Sequence, residues 1–119
     1  MARLEDAFAL HQKGDLAAAE KIYSEIINNE PNNLTALNAY GALLVQLERY
    51  DESEKIFNKA VEIANKSAPQ LLPALFNSRG NMQRRKGDLP AAIKDYQQSC
   101  DLNRNYTPAI NNLAHAYLK

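Results

Sequence analysis

Three asparagines, Asn38, Asn77 and Asn111, recur at steps of 39 and 34 residues, and Asn81 follows Asn77 by four. A carboxamide carries both a donor and an acceptor, so a row of them can pair with the C=O and N–H groups of an extended peptide whatever its sequence. Each such bond contributes roughly 0.5–1.5 kcal/mol net. Asparagine is a poor helix former, so its return inside helical segments asks for a reason. Solvated positions that tolerate any polar residue are the plain alternative. The second group is Arg84 and Arg85 in "RRK", with Arg79 upstream. Guanidinium groups take a carboxylate or phosphate through charge-assisted, often bidentate bonds. Bases at a helix C-terminus are also favoured by the helix dipole, so stabilisation and solubility account for the same residues.

Catalytic chemistry finds no constellation. His11 and His115 lie on distant segments, and Cys100 has no base and orienting partner near it in sequence. One cysteine and two dispersed histidines do not make a metal site. No glycine-rich phosphate loop is present, so no cofactor is expected and the chain is read as a non-enzyme. Fourteen Lys and Arg balance fourteen Asp and Glu, which leaves no general attraction for nucleic acid or an anionic membrane. No stretch approaches the ~20 apolar residues of a membrane span. The N-terminal segment carries an acidic pair where a signal peptide has its apolar run. With Cys100 read as a small packing residue, a reducing compartment is the simplest setting, and a cytoplasmic protein is expected.

The elements that must position these side chains are written in a repeat. "KGDLAAAEKIY", Lys13 to Tyr23, returns as "KGDLPAAIKDY", Lys86 to Tyr96. Ala7, Gly41, Gly80 and Ala114 fall in register at steps of 34, 39 and 34. Twelve residues after the first three come Ala19, Ser53 and Ala92, and four later come Tyr23, Phe57 and Tyr96. The five extra residues of the middle step lie within "NKSAPQLLP", which is expected to lengthen or bend the link there. Apolar residues three and four apart predict two helices per unit. Gly14 and Gly87 end the first helix in a left-handed conformation, and Asp15 and Asp88 cap the second. The middle copy has Glu48-Arg49 instead, predicting a less tightly specified corner. Small residues at Gly41, Gly80, Ser53 and Ala92 allow close helix approach, while the aromatics fill the space toward the next unit. Those aromatics are then committed to the core, which leaves no stacking surface for nucleic acid.

The 34-residue step, the "AxxxY", "SxxxF" and "AxxxY" pattern, the "GD" corners and "EPNN" resemble the tetratricopeptide repeat. The resemblance covers essentially the whole chain, though the signature tryptophan is absent and Asn65 and Arg104 stand where a terminal proline is expected. It implies an all-α fold of seven helices, in antiparallel pairs stacked as a right-handed α-solenoid. The expected units are residues 1–33, 34–72 with an extended linker, 73–106, and 107–119 as the first helix of a fourth unit or a cap. In this family the first helix of each pair lines a concave groove. Carried over in register, the groove row is Leu4, Asn38, Asn77 and Asn111, followed one turn on by Phe8, Ala42, Asn81 and His115. Of these, Asn38, Asn77, Asn81 and Asn111 form, with Arg84 and Arg85, the expected peptide-binding site. The family's best-known groove for chaperone C-terminal tails uses lysine, asparagine and arginine on its early helices. Leu4, Glu5 and Phe8 stand there instead, so that specificity is not expected. The last helix presents Ile110, Leu113, Ala114 and Tyr117 toward a second helix that does not follow. A segment of a longer repeat protein, an imperfect cap, or a homo-oligomer contact through Ile110, Leu113 and Tyr117 are the three outcomes. The expected function is non-enzymatic binding of an extended peptide or partner helix. A substrate-presenting part of a larger enzyme such as a glycosyltransferase, and a self-assembling scaffold, are the alternatives.

Overall fold

The computed structural model describes residues 3–118. Seven α-helices follow one another: α1 (Leu4–Lys13), α2 (Leu16–Asn29), α3 (Leu34–Gln46), α4 (Tyr50–Ser67), α5 (Leu72–Lys86), α6 (Leu89–Leu102) and α7 (Thr107–Tyr117). A single 3-10 turn, Pro69–Leu71, lies between α4 and α5. There is no strand among the described residues. Each helix packs on the next, α3 also touches α5, and α5 also touches α7. α3, α5 and α7 therefore adjoin one another as one layer, backed by the even-numbered helices. The result is an all-α solenoid of stacked helix pairs, extending 43 × 29 × 22 Å.

Close approach inside each pair is set by the small residues. A Cβ added to Gly41 would lie 2.6 Å from the Phe57 ring, and one added to Gly80 would lie 2.6 Å from the Tyr96 ring. Glycine at these two positions is thus a packing requirement rather than a turn signal. Ser53 Oγ donates to the Gly41 carbonyl at 2.8 Å, which satisfies the hydroxyl inside the core. Tyr23, Phe57 and Tyr96 are fully buried. Each also reaches the following pair: Tyr23 packs with Leu43, Phe57 with Met82 and Tyr96 with Ala116. No pair buries both of its faces alone, so stacking makes the core continuous.

The corners repeat more faithfully than the sequence does. Gly14 and Gly87 are left-handed, with φ of 88° and 99°. Glu48 adopts the same conformation at φ 60°. The closing bond is also the same: Asp15 N–H donates to Leu10 O at 3.0 Å, Arg49 N–H to Leu44 O at 2.9 Å and Asp88 N–H to Gln83 O at 2.8 Å. The Glu48-Arg49 corner is therefore as closely defined as the other two, held by its backbone despite the strain of an L-residue there. Arg49 adds bonds to Glu20 at 2.9 Å and to Glu52. Asp15, Asn33 and Asp88 each accept the amide three residues on, capping α2, α3 and α6.

The additional residues of the middle step go mainly into helix. α4 has 18 residues where α2 and α6 have 14, and the 3-10 turn follows it after Ala68. α4 runs through Asn65 to Ser67, ahead of Pro69, whereas α6 stops at Leu102 although its next proline, Pro108, stands as far beyond Tyr96 as Pro69 does beyond Phe57, so proline alone does not set the helix length.

Candidate functional site

The side chains singled out in the sequence lie on α3, α5 and α7, the adjoining odd-numbered helices. Asn77 is almost fully buried, at 8% exposure, and Asn81 is half-buried. Asn112 binds them together: its Nδ2 donates to Asn77 Oδ1 at 2.9 Å and to Asn81 Oδ1 at 3.3 Å. Asn81 Oδ1 also accepts from the Tyr96 hydroxyl at 2.6 Å. The structure thus gathers Asn77, Asn81, Asn112 and Tyr96 into one cluster joining α5, α6 and α7. Both carbonyl oxygens are occupied within the protein, while the Asn77 and Asn81 Nδ2 groups still have donors to offer.

Asn112 was not singled out in the sequence. It sits beside Asn111, about 100° further around the helix, and the residue in register with it one unit earlier is Ser78. No recurrence marks it. Asn111 itself is exposed and has no side-chain hydrogen bond among the described residues. Asn38 is half-buried, and its Oδ1 is buried with no hydrogen-bond partner. Ser78, in register with Asn112, ends one bond shorter, and no bond from it to Asn38 forms. Asn38 lines a cleft of about 120 Å³ with Leu34, Thr35, Leu71, Ala74 and Leu75.

Arg84 and Arg85 are both exposed, and neither forms an ion pair among the described residues. Arg84 opens onto a cavity of about 620 Å³ with Asn112, His115, Gly87, Leu89 and Ala116. Arg85 lines a different one of about 180 Å³ with Ala42, Gln46, Ser78 and Asn81. Arg79 is committed elsewhere. It donates from two nitrogens to Asp95, at 2.8 and 3.1 Å, and from a third to Asn58 at 3.0 Å, with its guanidinium 5.2 Å from the centroid of the Phe76 ring. Burial pushes the Tyr96 phenol above its ordinary range, and the positive charge of Arg84 pulls the other way.

His11 is a strut between pairs. Its Nδ1 accepts from the Tyr23 hydroxyl at 3.0 Å when Nε2–H donates to Gln46 Oε1, so it ties α1 to α2 and α3. Burial, then the neighbouring charge of Asp101, pushes the Cys100 thiol up, which makes it a poorer nucleophile. On α7, Leu113 packs against the Ala92, Tyr96 and Ala116 cluster. Ile110 is 41% and Tyr117 65% exposed, on the side of α7 that carries the exposed Ala114.

A sequence model of the tetratricopeptide repeat matches residues 32–105, more than half of the chain. The chain belongs to the tetratricopeptide repeat family. Over 111 residues it is 28% identical to the protein O-mannosyl-transferase TMTC1 of Mus musculus, a match covering 93% of this chain and 12% of that protein. Over 115 residues it is 26% identical to the photosystem I assembly protein Ycf3 of Cyanophora paradoxa, covering 97% of this chain and 50% of that one. The chain therefore spans only a part of the length of these relatives. Among solved structures, the first tetratricopeptide repeat domain of Spaghetti (RPAP3) bound to the HSP90 peptide SRMEEVD superposes with a TM-score of 0.81 at 20% identity, covering 96% of this chain and 86% of that one. That likeness establishes the stacked helix-pair fold. No helix among the described residues is long and apolar enough to cross a membrane.

Proposed function

We propose that the chain is a non-enzymatic protein-interaction module that takes an extended peptide along the face formed by α3, α5 and α7, with a preference for acidic ligands. The observation that carries this is the state of the arginines. Arg49 and Arg79 are matched by carboxylates within the fold, whereas Arg84 and Arg85 open onto two cavities with no acid among the described residues paired to them. Asn38 and Asn111 supply amides not engaged by other side chains, and Asn77 and Asn81 supply remaining N–H donors. A peptide running past them meets groups that pair with main chain rather than with particular side chains, which suits a sequence-tolerant groove closed by charge. The fold-mate that binds SRMEEVD shows an acidic peptide held by this architecture in another protein.

The test is binding of wild-type protein and an Asn38→Ala/Asn111→Ala double variant to an array of acidic extended peptides. Neither residue belongs to the Asn112 cluster, so the fold is expected to survive, with helicity followed by circular dichroism. Loss of two hydrogen bonds predicts affinity weaker by roughly five- to a hundredfold. Equal binding by both proteins would remove the amide row from the account.

A second reading follows from the similarity to the mouse mannosyl-transferase, which extends over 93% of this chain. In it the module presents acceptor protein to a catalytic domain elsewhere in a longer polypeptide. A sequence continuing into such a domain decides between the two.

A further inference from the structure

Arg84 and Arg85 are neighbours in sequence but open onto different cavities, and the one at Arg84 has the composition of a site. We infer that the cavity of about 620 Å³ between α5, α6 and α7 is an oxyanion subsite, where the carboxylate or phosphate of a ligand side chain sits between the Arg84 guanidinium and the His115 imidazole. Its role in recognition rests on the peptide-groove reading, to which it adds the place where negative charge is read.

The wall behind the cavity is already ordered. Asn112 is fixed by two bonds to Asn77 and Asn81, and Asn81 in turn holds the Tyr96 hydroxyl. Little freedom is lost there when a ligand arrives, which favours binding. Arg84 stands close enough to this wall for its charge to act on the Tyr96 phenol. No acid among the described residues pairs with Arg84: Asp88, the nearest acid in sequence, turns its Oδ1 to the Ala91 amide at 3.1 Å, and Asp95 is held by Arg79. An unpaired guanidinium offers a planar fork that fits two oxygens of a carboxylate or phosphate. His115 brings an N–H donor in either tautomer and a positive charge when protonated. Leu89 and Ala116 supply an apolar flank for the methylenes carrying the anion. A volume of this order matches a ligand side chain with its neighbours better than a bare ion, being within the range of about 300–1,000 Å³ usual for ligand pockets.

The experiment is an NMR titration of the full chain with inorganic phosphate and, separately, with acetate, at ionic strength held constant with sodium chloride. The His115 ring, the Asn112 side-chain amide and the Gly87 backbone amide report. Saturable shifts confined to these groups are expected, weakened about tenfold or more in Arg84→Gln, as loss of a charge-assisted bond requires. Arg104→Gln, at an exposed arginine outside the cavity, is expected to leave them unchanged. Saturation by phosphate alone assigns the site to phosphorylated side chains, and saturation by acetate assigns it to acidic ones. Shifts spread over all basic residues, or equal in wild type and Arg84→Gln, would overturn the subsite. Anion binding here while no peptide binds the odd helices would retire the groove reading and keep the subsite. Peptide binding along those helices with His115 silent to anions would do the reverse.

Discussion

Replacing Glu48 by glycine is expected to stabilise the protein, although it removes a side chain and gives the unfolded chain more freedom. Glu48 holds φ 60° at a corner that Gly14 and Gly87 close with φ 88° and 99°. The left-handed conformation costs an L-residue about 1–2 kcal/mol, and the greater chain entropy of glycine gives back about 0.5–1 kcal/mol. The closing bond from the Arg49 amide to Leu44 O, at 2.9 Å, is made by backbone alone and survives the change. The net is a gain of about 0.5–1 kcal/mol, or a Tm higher by about 2–4 °C in a chain of this size. The reciprocal change is Gly87→Ala. No atom lies within 4 Å of the Cβ it adds, so conformation alone decides the outcome. It is expected to cost about 1 kcal/mol. Urea unfolding followed by far-ultraviolet circular dichroism measures both. A Glu48→Gly protein no more stable than wild type, together with a neutral Gly87→Ala, would refute the claim that backbone conformation at the corners sets their energy.

Arg79→Ala leaves the Asp95 carboxylate buried without its cation and is expected to destabilise by about 3 kcal/mol, with Asp95→Asn milder; chemical denaturation compares them. The Tyr23 and Tyr96 phenols are both raised by burial from the ordinary 10.0. Their contribution is fully present below the unfolded phenol pKa and is lost as pH rises through the higher folded value. The urea midpoint should therefore hold steady on this account up to the unfolded phenol pKa of 10.0 and fall above it, less steeply in Tyr96→Phe. If the exposed Ile110 and Tyr117 mediate self-association, wild-type mass in sedimentation will rise with concentration and Ile110→Glu/Tyr117→Glu will abolish the rise; a constant wild-type mass rejects that contact.

Much of the fold was legible because its determinants are local and recur. The helix periodicity, the glycine corners with their aspartate caps, and the small residues opposite aromatics all have short-range physical reasons. The Glu48 corner was harder to read because tertiary closure overrides what the residue prefers on its own. The length of α4 was not legible in its prolines, since Asn65 and Arg104 both stand where a proline stop is expected and only α4 runs on. The candidate site was less legible still. Register brings Asn38, Asn77 and Asn111 onto equivalent places, but the residue that binds Asn77 and Asn81 is Asn112, which has no counterpart in the other units. Sequence adjacency also grouped Arg79 with Arg84 and Arg85, whereas the turn of the helix directs Arg79 to Asp95 on α6 and leaves the other two at separate cavities.

Whether the face formed by α3, α5 and α7 binds peptide is read by chemical-shift mapping with an acidic peptide selected from the array. The perturbed amides are expected to cluster around Asn38, Asn81, Arg84 and Asn111 on α3, α5 and α7, with α2, α4 and α6 silent on their outer sides. Perturbations confined to the even-numbered helices, or to Ile110 and Tyr117, would contradict peptide binding on that face.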